Sequence, residues 1–132
     1  MTRTPQATFN ELVYRVSALV AGYSGQVQRL AELYAEKTHV SFPMTPDAQP
    51  LRTRAELRAH FADVASRLRG GVTGMRAEDV RIHQTTDPEV IVAEFRYQAG
   101  QPEGGLRLPN VFVMRVRDGE IIESRDYSAS AA

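Results

Sequence analysis

The change of hydrophobic period near residue 73 constrains the fold more than any other feature of this 132-residue chain. Before it, apolar residues recur at three- and four-residue steps, which predicts helices over residues 8–23, 27–35 and 54–68. After it, apolar and polar residues alternate, which predicts strands. Because the helices precede a run of strands, the pattern favours an α+β domain with the helices on one face of a curved sheet.

The predicted strands are short and joined by turns. They cover residues 38–44, 73–84, 90–98, 106–117 and 120–128. Asp118-Gly119, between the last two, is a strong signal for a two-residue hairpin turn, and short connections of this kind imply antiparallel pairing. We expect a single domain over residues 1–132, with residues 1–7 and 128–132 frayed.

Two of the predicted helices begin with the pattern of a capping box. Thr8 is followed three residues later by Glu11, and Thr53 by Glu56. In this motif the threonine hydroxyl accepts a hydrogen bond from the third backbone N–H, and the glutamate reaches back. The pattern predicts that the first and third helices begin next to Thr8 and Thr53.

Composition and charge disfavour several classes of protein. Sixteen Lys and Arg balance sixteen Asp and Glu, which argues against a nucleic-acid binder held by bulk charge. No apolar run approaches the roughly 18–20 residues that span a bilayer, and the polar first residues lack the apolar core of a secretion signal. We therefore expect a cytoplasmic protein without nucleic-acid or membrane partners.

Metal and cofactor motifs are missing from the sequence. The chain has no cysteine and only three histidines, and the histidines have no close spacing, so we expect no metal site. The glycine pairs do not stand between a strand and a helix, as a phosphate-binding glycine motif would. We therefore expect no bound cofactor.

Three stretches of the chain carry a family resemblance. They run from Ala18 to Gly22, from Leu33 to Pro43 and from Val111 to Tyr127. Together they resemble the nuclear transport factor 2-like superfamily, and more narrowly its SnoaL-like and ketosteroid isomerase-like small bacterial proteins. The resemblance implies a cystatin-like, cone-shaped barrel: a curved antiparallel sheet wrapped around three N-terminal helices. It also implies a pocket between helices and sheet, and often a homodimer formed through the sheet.

The positions that carry ketosteroid isomerisation in those relatives hold other residues here. The general-base position just before Pro43 is Phe42, the oxyanion tyrosine of the first helix falls at or beside Arg15, and the second oxyanion donor falls near Phe112. The resemblance therefore implies the fold and a pocket, and not that particular mechanism.

Asp126 is the leading candidate for a catalytic group. Strand alternation puts it on one face with Ile122, Ser124 and Ser128, and the resemblance turns that face toward the pocket. A carboxyl group in an apolar cavity has a raised pKa and can act as a general acid or base near neutral pH. The resemblance to SnoaL-like cyclases implies such a carboxylate in this region. Alternatively, Asp126 lies at the rim and pairs with Arg125 or a backbone amide.

His60 is the second candidate, because it stands beside Phe61 at the edge of the apolar stripe of the third helix. A neutral imidazole there could orient a carbonyl group or shuttle a proton, or it could be a satisfied core histidine. Asn110 and Tyr34 could hydrogen-bond an oxyanion. Their alternatives are a strand-edge cap and a core tyrosine.

Apolar side chains from helices and strands are expected to line the pocket and to bind a small hydrophobic molecule. The predicted substrate-binding residues are Tyr34, Phe42, Phe61, Phe95, Asn110, Phe112, Met114 and Arg15, and Ala93 adds to the apolar wall.

Two functions fit these residues. The first is a SnoaL-like enzyme that uses cofactor-free general acid–base catalysis on a hydrophobic carbonyl substrate, as an isomerase, cyclase or dehydratase, with Asp126 or His60 moving the proton. The second is a non-catalytic ligand-binding or protein-interaction module of the same fold. Epoxide hydrolysis would need an inward arginine–carboxylate set, whereas alternation turns Glu94 and Arg96 outward.

The opposite face of the predicted sheet is amphipathic enough to form a dimer surface. Ile121 is expected on this outer face, together with Arg115, Arg117, Glu123, Arg125 and Tyr127.

Overall fold

The predicted α+β class is confirmed by the computed structural model, which describes residues 2–68, 74–100 and 105–128. Within those ranges the helices pack against one face of a six-stranded sheet. The elements are α1 (Pro5–Val20), α2 (Gln26–Ala31), β1 (Tyr34–Ser41), β2 (Leu51–Thr53), α3 (Arg54–Leu68), β3 (Arg76–Gln84), β4 (Val90–Ala99), β5 (Leu106–Arg117) and β6 (Glu120–Ser128).

The sheet has the strand order β2-β1-β6-β5-β4-β3. It is mixed rather than wholly antiparallel, because β1 pairs in parallel with β6. The remaining neighbours are antiparallel. In the described part of the chain β2 and β3 form the two edges, so the sheet stays open instead of closing into the expected barrel.

The first helix begins earlier than the sequence pattern predicts. Thr4 is its N-cap: its hydroxyl accepts a hydrogen bond from the N–H of Ala7, 3.1 Å away, and Pro5 occupies the first turn. Thr8 lies inside the helix, where its hydroxyl donates to the Thr4 carbonyl. The capping box expected at Thr8 is therefore wrong, and part of the segment expected to fray is helical. Residues 1 and 129–132 lie outside the described residues.

The third helix begins as predicted. The Thr53 hydroxyl accepts a hydrogen bond from the Glu56 N–H at 3.1 Å, and the Glu56 carboxylate accepts from the N–H of Arg52 at 2.8 Å. This is the reciprocal arrangement of a capping box, displaced by one residue on the return bond.

The second helix ends earlier, and the first strand begins earlier, than the sequence predicts. The helix ends at Ala31, and Tyr34 already belongs to β1. The reason is the backbone of Leu33, whose carbonyl accepts a hydrogen bond from Ile121 of β6 at 2.8 Å. Strand pairing therefore replaces the last helical turn. The short strand β2 was not predicted at all, because three residues cannot show a period.

A β-bulge in β6 reverses one predicted orientation. Arg115 pairs with Glu123, but the next pair joins Val116 to Ile121, so Ile122 is the extra residue. The bulge shifts the alternation by one position, and Ile121 is fully buried on the inner face. The expectation that Ile121 lies on the outer face is therefore wrong.

The core lies between the helices and the inner face of the sheet, and an aromatic cluster stands at its centre. The ring of Phe95 meets the rings of Phe9, Tyr97 and Phe112 at centroid distances of 5.0 Å, in edge-to-face arrangements. Such pairs contribute about 0.5–1.5 kcal/mol each beyond the burial of their surface. The cluster fixes β4 and β5 against α1.

We expect Gly119→Ala to lower the free energy of unfolding by about 1–2 kcal/mol, measured by urea denaturation. Asp118 and Gly119 both have positive φ, 53° and 79°, as the hairpin turn requires. An added Cβ at Gly119 would also lie 3.2 Å from the backbone nitrogen of Arg3. Asp118→Asn, which tolerates positive φ, is the matched control and should cost less than about 0.5 kcal/mol. An equally stable alanine variant would contradict the turn geometry.

Candidate active site

Asp126 lies on the inner face of β6, near the middle of the sheet. Its Cα pairs with Phe112 of β5, a core residue, and it shares its face with the buried Ser124. The side chain keeps part of its surface exposed. Arg125 is exposed, and its carboxylate contact is Glu123 at 3.8 Å. The structure therefore gives Asp126 the inward orientation and does not form the alternative pair with Arg125.

The electrostatic setting of Asp126 raises its pKa to about 7, because burial penalises the charged carboxylate. A hydrogen bond from the Ser124 hydroxyl to Oδ1 lowers the pKa and so offsets part of this increase. The carboxyl group is thus divided between its acid and base forms near neutral pH, which is what a general acid–base catalyst requires.

Two buried tyrosines interact electrostatically with this carboxyl group. Tyr34 of β1 and Tyr97 of β4 are 3% and 8% exposed. Burial raises the pKa of each well above its usual value, and the charge of Asp126 raises both further. Both phenols therefore remain neutral O–H donors at any pH near 7. Tyr97 was not predicted as a site residue, although its alternation with Phe95 could have placed its hydroxyl on the inner face.

Arg54, the first residue of α3, holds Tyr34 in position. Its Nε donates to the Tyr34 carbonyl at 2.8 Å, and its guanidinium also binds Glu36 at 3.0 Å and Glu120. One arginine thus joins α3 to β1 and β6 where the two strands begin. The planar, multi-donor guanidinium suits this role better than a lysine would.

His60 lies beside the aromatic rings of α3 and the end of β1. Its ring centroid is 5.4 Å from that of Phe42 and 5.2 Å from that of Phe61. Burial and the positive charge of Arg67 lower the pKa of His60, and Asp63 partly opposes them. Asp126 does not contribute to that pKa shift, so the structure does not couple the two predicted catalytic groups.

The predicted aromatic wall divides into two sets. Phe42 and Phe61 stand on the helix side, where the Phe61 ring lies 6.2 Å from that of Tyr34. Phe112 borders Asp126 by strand pairing. The cluster ring Phe95 and the fully buried Met114 pack into the core instead, so they support the site from behind.

Asn110 of β5 pairs with Ser128 of β6, which is the next residue on the same face of β6 after Asp126. Its Nδ2 donates to the Leu108 carbonyl at 2.7 Å, which is the strand-edge role rather than a free amide. Asn110 borders an open depression of about 590 Å³ near the first residues of β5. Tyr127 also lines this depression, whereas Asp126 does not. The Asn110 amide is therefore already engaged by the backbone of its own strand.

Arg15 lies away from this group of residues. It sits on the flank of α1, where Nε binds Glu11 at 2.7 Å and Nη1 donates to the Arg29 carbonyl of α2 at 2.5 Å. It borders a depression of about 350 Å³ between the two helices, next to the exposed Tyr14. The helix turns Arg15 toward α2 because Leu12 and its apolar neighbours occupy the sheet-facing stripe.

The strand β4 turns its charged residues outward, as predicted. Glu94 binds His83 at 2.5 Å, and Arg96 binds Asp79 at 2.6 Å and Glu78 at 3.2 Å. These are cross-strand polar contacts on the outer face, so β4 supplies no inward arginine–carboxylate set for epoxide hydrolysis.

The described residues form neither a metal-binding cluster nor a membrane-spanning helix. Across residues 2–68, 74–100 and 105–128, no three His, Asp or Glu side chains stand close enough together to hold a metal ion. No helix in those ranges has the length and apolar character needed to cross a bilayer.

A comparison with protein-family models identifies one family. The family model described as SnoaL-like domain matches residues 14–124. No curated protein matches the chain.

Solved structures of the same fold are numerous. A provisionally named isomerase from Bacillus subtilis is 20% identical, with a TM-score of 0.72 over 96% of this chain and 90% of that one. An NTF2-like protein from Anabaena variabilis is 19% identical, with a TM-score of 0.70 over 98% and 95%. A provisionally named polyketide cyclase from Pseudomonas putida is 18% identical, with a TM-score of 0.67 over 95% and 91%. At these identities the likeness establishes the nuclear transport factor 2-like fold.

The raised pKa of Asp126 predicts an unusual dependence of stability on pH. In the unfolded chain the carboxyl has its ordinary pKa of 3.8, whereas the folded protein keeps the proton up to about pH 7. Between these values the folded state binds more protons, so the free energy of unfolding falls as the pH rises. The change is at most about 4 kcal/mol, and partial exposure of the side chain reduces it.

We therefore expect Asp126→Asn, which cannot ionise, to match the wild type near pH 4 and to be more stable near pH 8.5, as measured by urea denaturation. Glu123→Gln, on the outer face, is the matched control and should follow the wild type at both pH values. Parallel curves for the wild type and Asp126→Asn would contradict the buried setting of the carboxyl group.

Proposed function

The chain belongs to the SnoaL-like domain family, and we propose that it is a small-molecule enzyme that applies general acid–base catalysis, without a cofactor, to a hydrophobic carbonyl compound. The observation that supports this proposal is Asp126, an inward carboxyl group with a pKa of about 7 that interacts electrostatically with two buried, neutral tyrosines. The provisional names of two similar structures, an isomerase and a polyketide cyclase, support this class of reaction.

The proposed reaction begins with proton removal. The Asp126 carboxylate takes a proton from the carbon next to the carbonyl group. The electrons of that C–H bond form a carbon–carbon double bond, and the π electrons of the carbonyl group move onto its oxygen to give an enolate. A base with a pKa near the working pH serves best, because it is both available and able to return the proton. The resulting Asp126 carboxylic acid then delivers the proton to the same or another carbon.

The enolate oxygen needs hydrogen-bond donors as its charge develops. The phenol of Tyr34 is neutral, and Arg54 holds the backbone of that residue, so Tyr34 is suited to donate this hydrogen bond. Tyr97 offers a second neutral phenol from β4. Donors fixed in an apolar interior stabilise such a charge more than they would in water.

The surroundings of Asp126 favour a hydrophobic substrate. Phe112 borders the carboxyl group through strand pairing, and Phe61 contacts Tyr34. Phe42 and His60 extend this surface toward the end of β1. Aromatic rings with a few polar groups are the usual lining of a small-molecule site.

A non-catalytic binding module of the same fold is the second candidate. The observation that favours it is the close packing beside Asp126, where Ser124 and Ile121 are almost or fully buried. A substrate would have to displace side chains such as Phe42, which is only partly buried. Binding without proton transfer would identify this second function.

Hydrogen–deuterium exchange tests the proposal without knowledge of the natural substrate. A panel of hydrophobic ketones is incubated with the protein in D₂O, and loss of the α-proton signal is followed by NMR. We expect the wild type to exchange α-protons about 10²–10⁴-fold faster than Asp126→Asn for at least one ketone, the range typical of a positioned general base.

The control is Glu123→Gln, which removes a carboxylate from the outer face of the same strand and should exchange at the wild-type rate. Equal rates for the wild type and Asp126→Asn across the panel would contradict the catalytic assignment. Ketone-induced shifts in the protein spectrum without exchange would then favour the binding module.

A further inference from the structure

Ser124 is the one residue that contacts the carboxyl group of Asp126 through a hydrogen bond in the described structure. Its hydroxyl donates to Oδ1 of Asp126, two residues along the same strand and on the same face. Ser124 is 2% exposed. Its Cα neighbours across the sheet are Met114 of β5 and Val40 of β1, both apolar and buried. The serine hydroxyl therefore lies in an apolar part of the sheet and is directed to Asp126.

The two carboxyl oxygens of Asp126 are consequently not equivalent. Oδ1 accepts the hydrogen bond from Ser124, whereas no donor among residues 2–68, 74–100 and 105–128 binds Oδ2. We propose that Ser124 is a positioning residue that holds Oδ1, so that Oδ2 is the oxygen that exchanges the proton with the substrate. This inference rests on the proposed acid–base function of Asp126.

A physical reason for such a residue lies in the freedom of the carboxyl group. The last torsion of an aspartate is broad, so an unheld carboxyl group rotates and presents either oxygen. Proton transfer to carbon requires one oxygen to stay within hydrogen-bond reach of the C–H group. A hydroxyl on the same strand provides that restraint without adding a charge to the apolar interior.

The same hydrogen bond maintains the base form of Asp126. Tyr34 from β1 and Tyr97 from β4 are the titratable groups that interact electrostatically with it, and both are neutral. Within the described residues, Ser124 is the group that lowers the pKa of Asp126, and it acts against burial. Without the hydroxyl, burial would act unopposed, and less carboxylate would be present at neutral pH.

The test compares Ser124→Ala with two controls. Ser124→Thr keeps the hydroxyl, and Thr38→Val removes another buried hydroxyl, which donates to the Ile121 carbonyl at 3.0 Å and not to Asp126. The Asp126 titration is followed by NMR of the ¹³C-labelled carboxyl carbon, assigned with Asp126→Asn. The ketone exchange rate is measured over the same pH range, and backbone amide spectra verify that each variant is folded.

For Ser124→Ala we expect the carboxyl titration to move upward by about one pH unit, because a hydrogen bond to the charged form is lost. We also expect the exchange rate to stay below that of the wild type at high pH, since the carboxyl group is no longer held. Ser124→Thr should restore both properties, and Thr38→Val should leave both unchanged.

An unmoved titration in folded Ser124→Ala overturns the proposal, and so does full recovery of the exchange rate at high pH. These outcomes are separable from failure of the catalytic assignment. If the wild type exchanges no ketone, the proposed function fails, and the shift in titration alone decides whether Ser124 holds the carboxyl group. If exchange depends on Asp126 but Ser124→Ala changes nothing, only the positioning role fails.

Discussion

The candidate site depends on the position of β6 in the middle of the sheet, with β1 on one side and β5 on the other. A strand with neighbours on both sides has no open edge, so its inward side chains are shielded from much of the solvent. Asp126 therefore lies between Phe112 and the end of β1, and burial raises its pKa to about 7. The parallel pairing of β1 with β6 also brings Tyr34 to the same interior.

The buried carboxyl group lowers the stability of the folded protein when it is charged, but it provides a group that titrates near neutral pH. A buried carboxyl group without a cation is unfavourable when charged, and an apolar residue at this position would avoid that cost. Burial raises the pKa of Asp126 and the Ser124 hydroxyl lowers it, so the carboxyl group stays near its titration point instead of having a fixed charge. Departures of this kind from a purely apolar interior are typical of functional sites.

Local signals in the sequence predicted the elements that have clear periods or caps. The hairpin of β5 and β6 was predicted to the residue, because alternation on both strands agrees with the Asp118-Gly119 turn. The boundary of α2 and β1 was not, because Leu33 and Tyr34 fit either period. Ile121 was misplaced because a bulge breaks alternation without a sequence signal. Alternation, together with the family resemblance, predicted the inward orientation of Asp126. The separation of Asp126 from His60 depends on how α3 packs against the sheet, and no local sequence pattern contains that information.

The most direct measurement of the central claim is an infrared difference spectrum, wild type minus Asp126→Asn, near pH 5.5. An ordinary aspartate is ionised there, whereas a carboxyl group with a pKa of about 7 is protonated. We expect the wild-type spectrum to contain the carbonyl stretch of one protonated carboxyl group, and this band should disappear as the pH rises through 7. A spectrum with only the bands of an ionised carboxylate would contradict it.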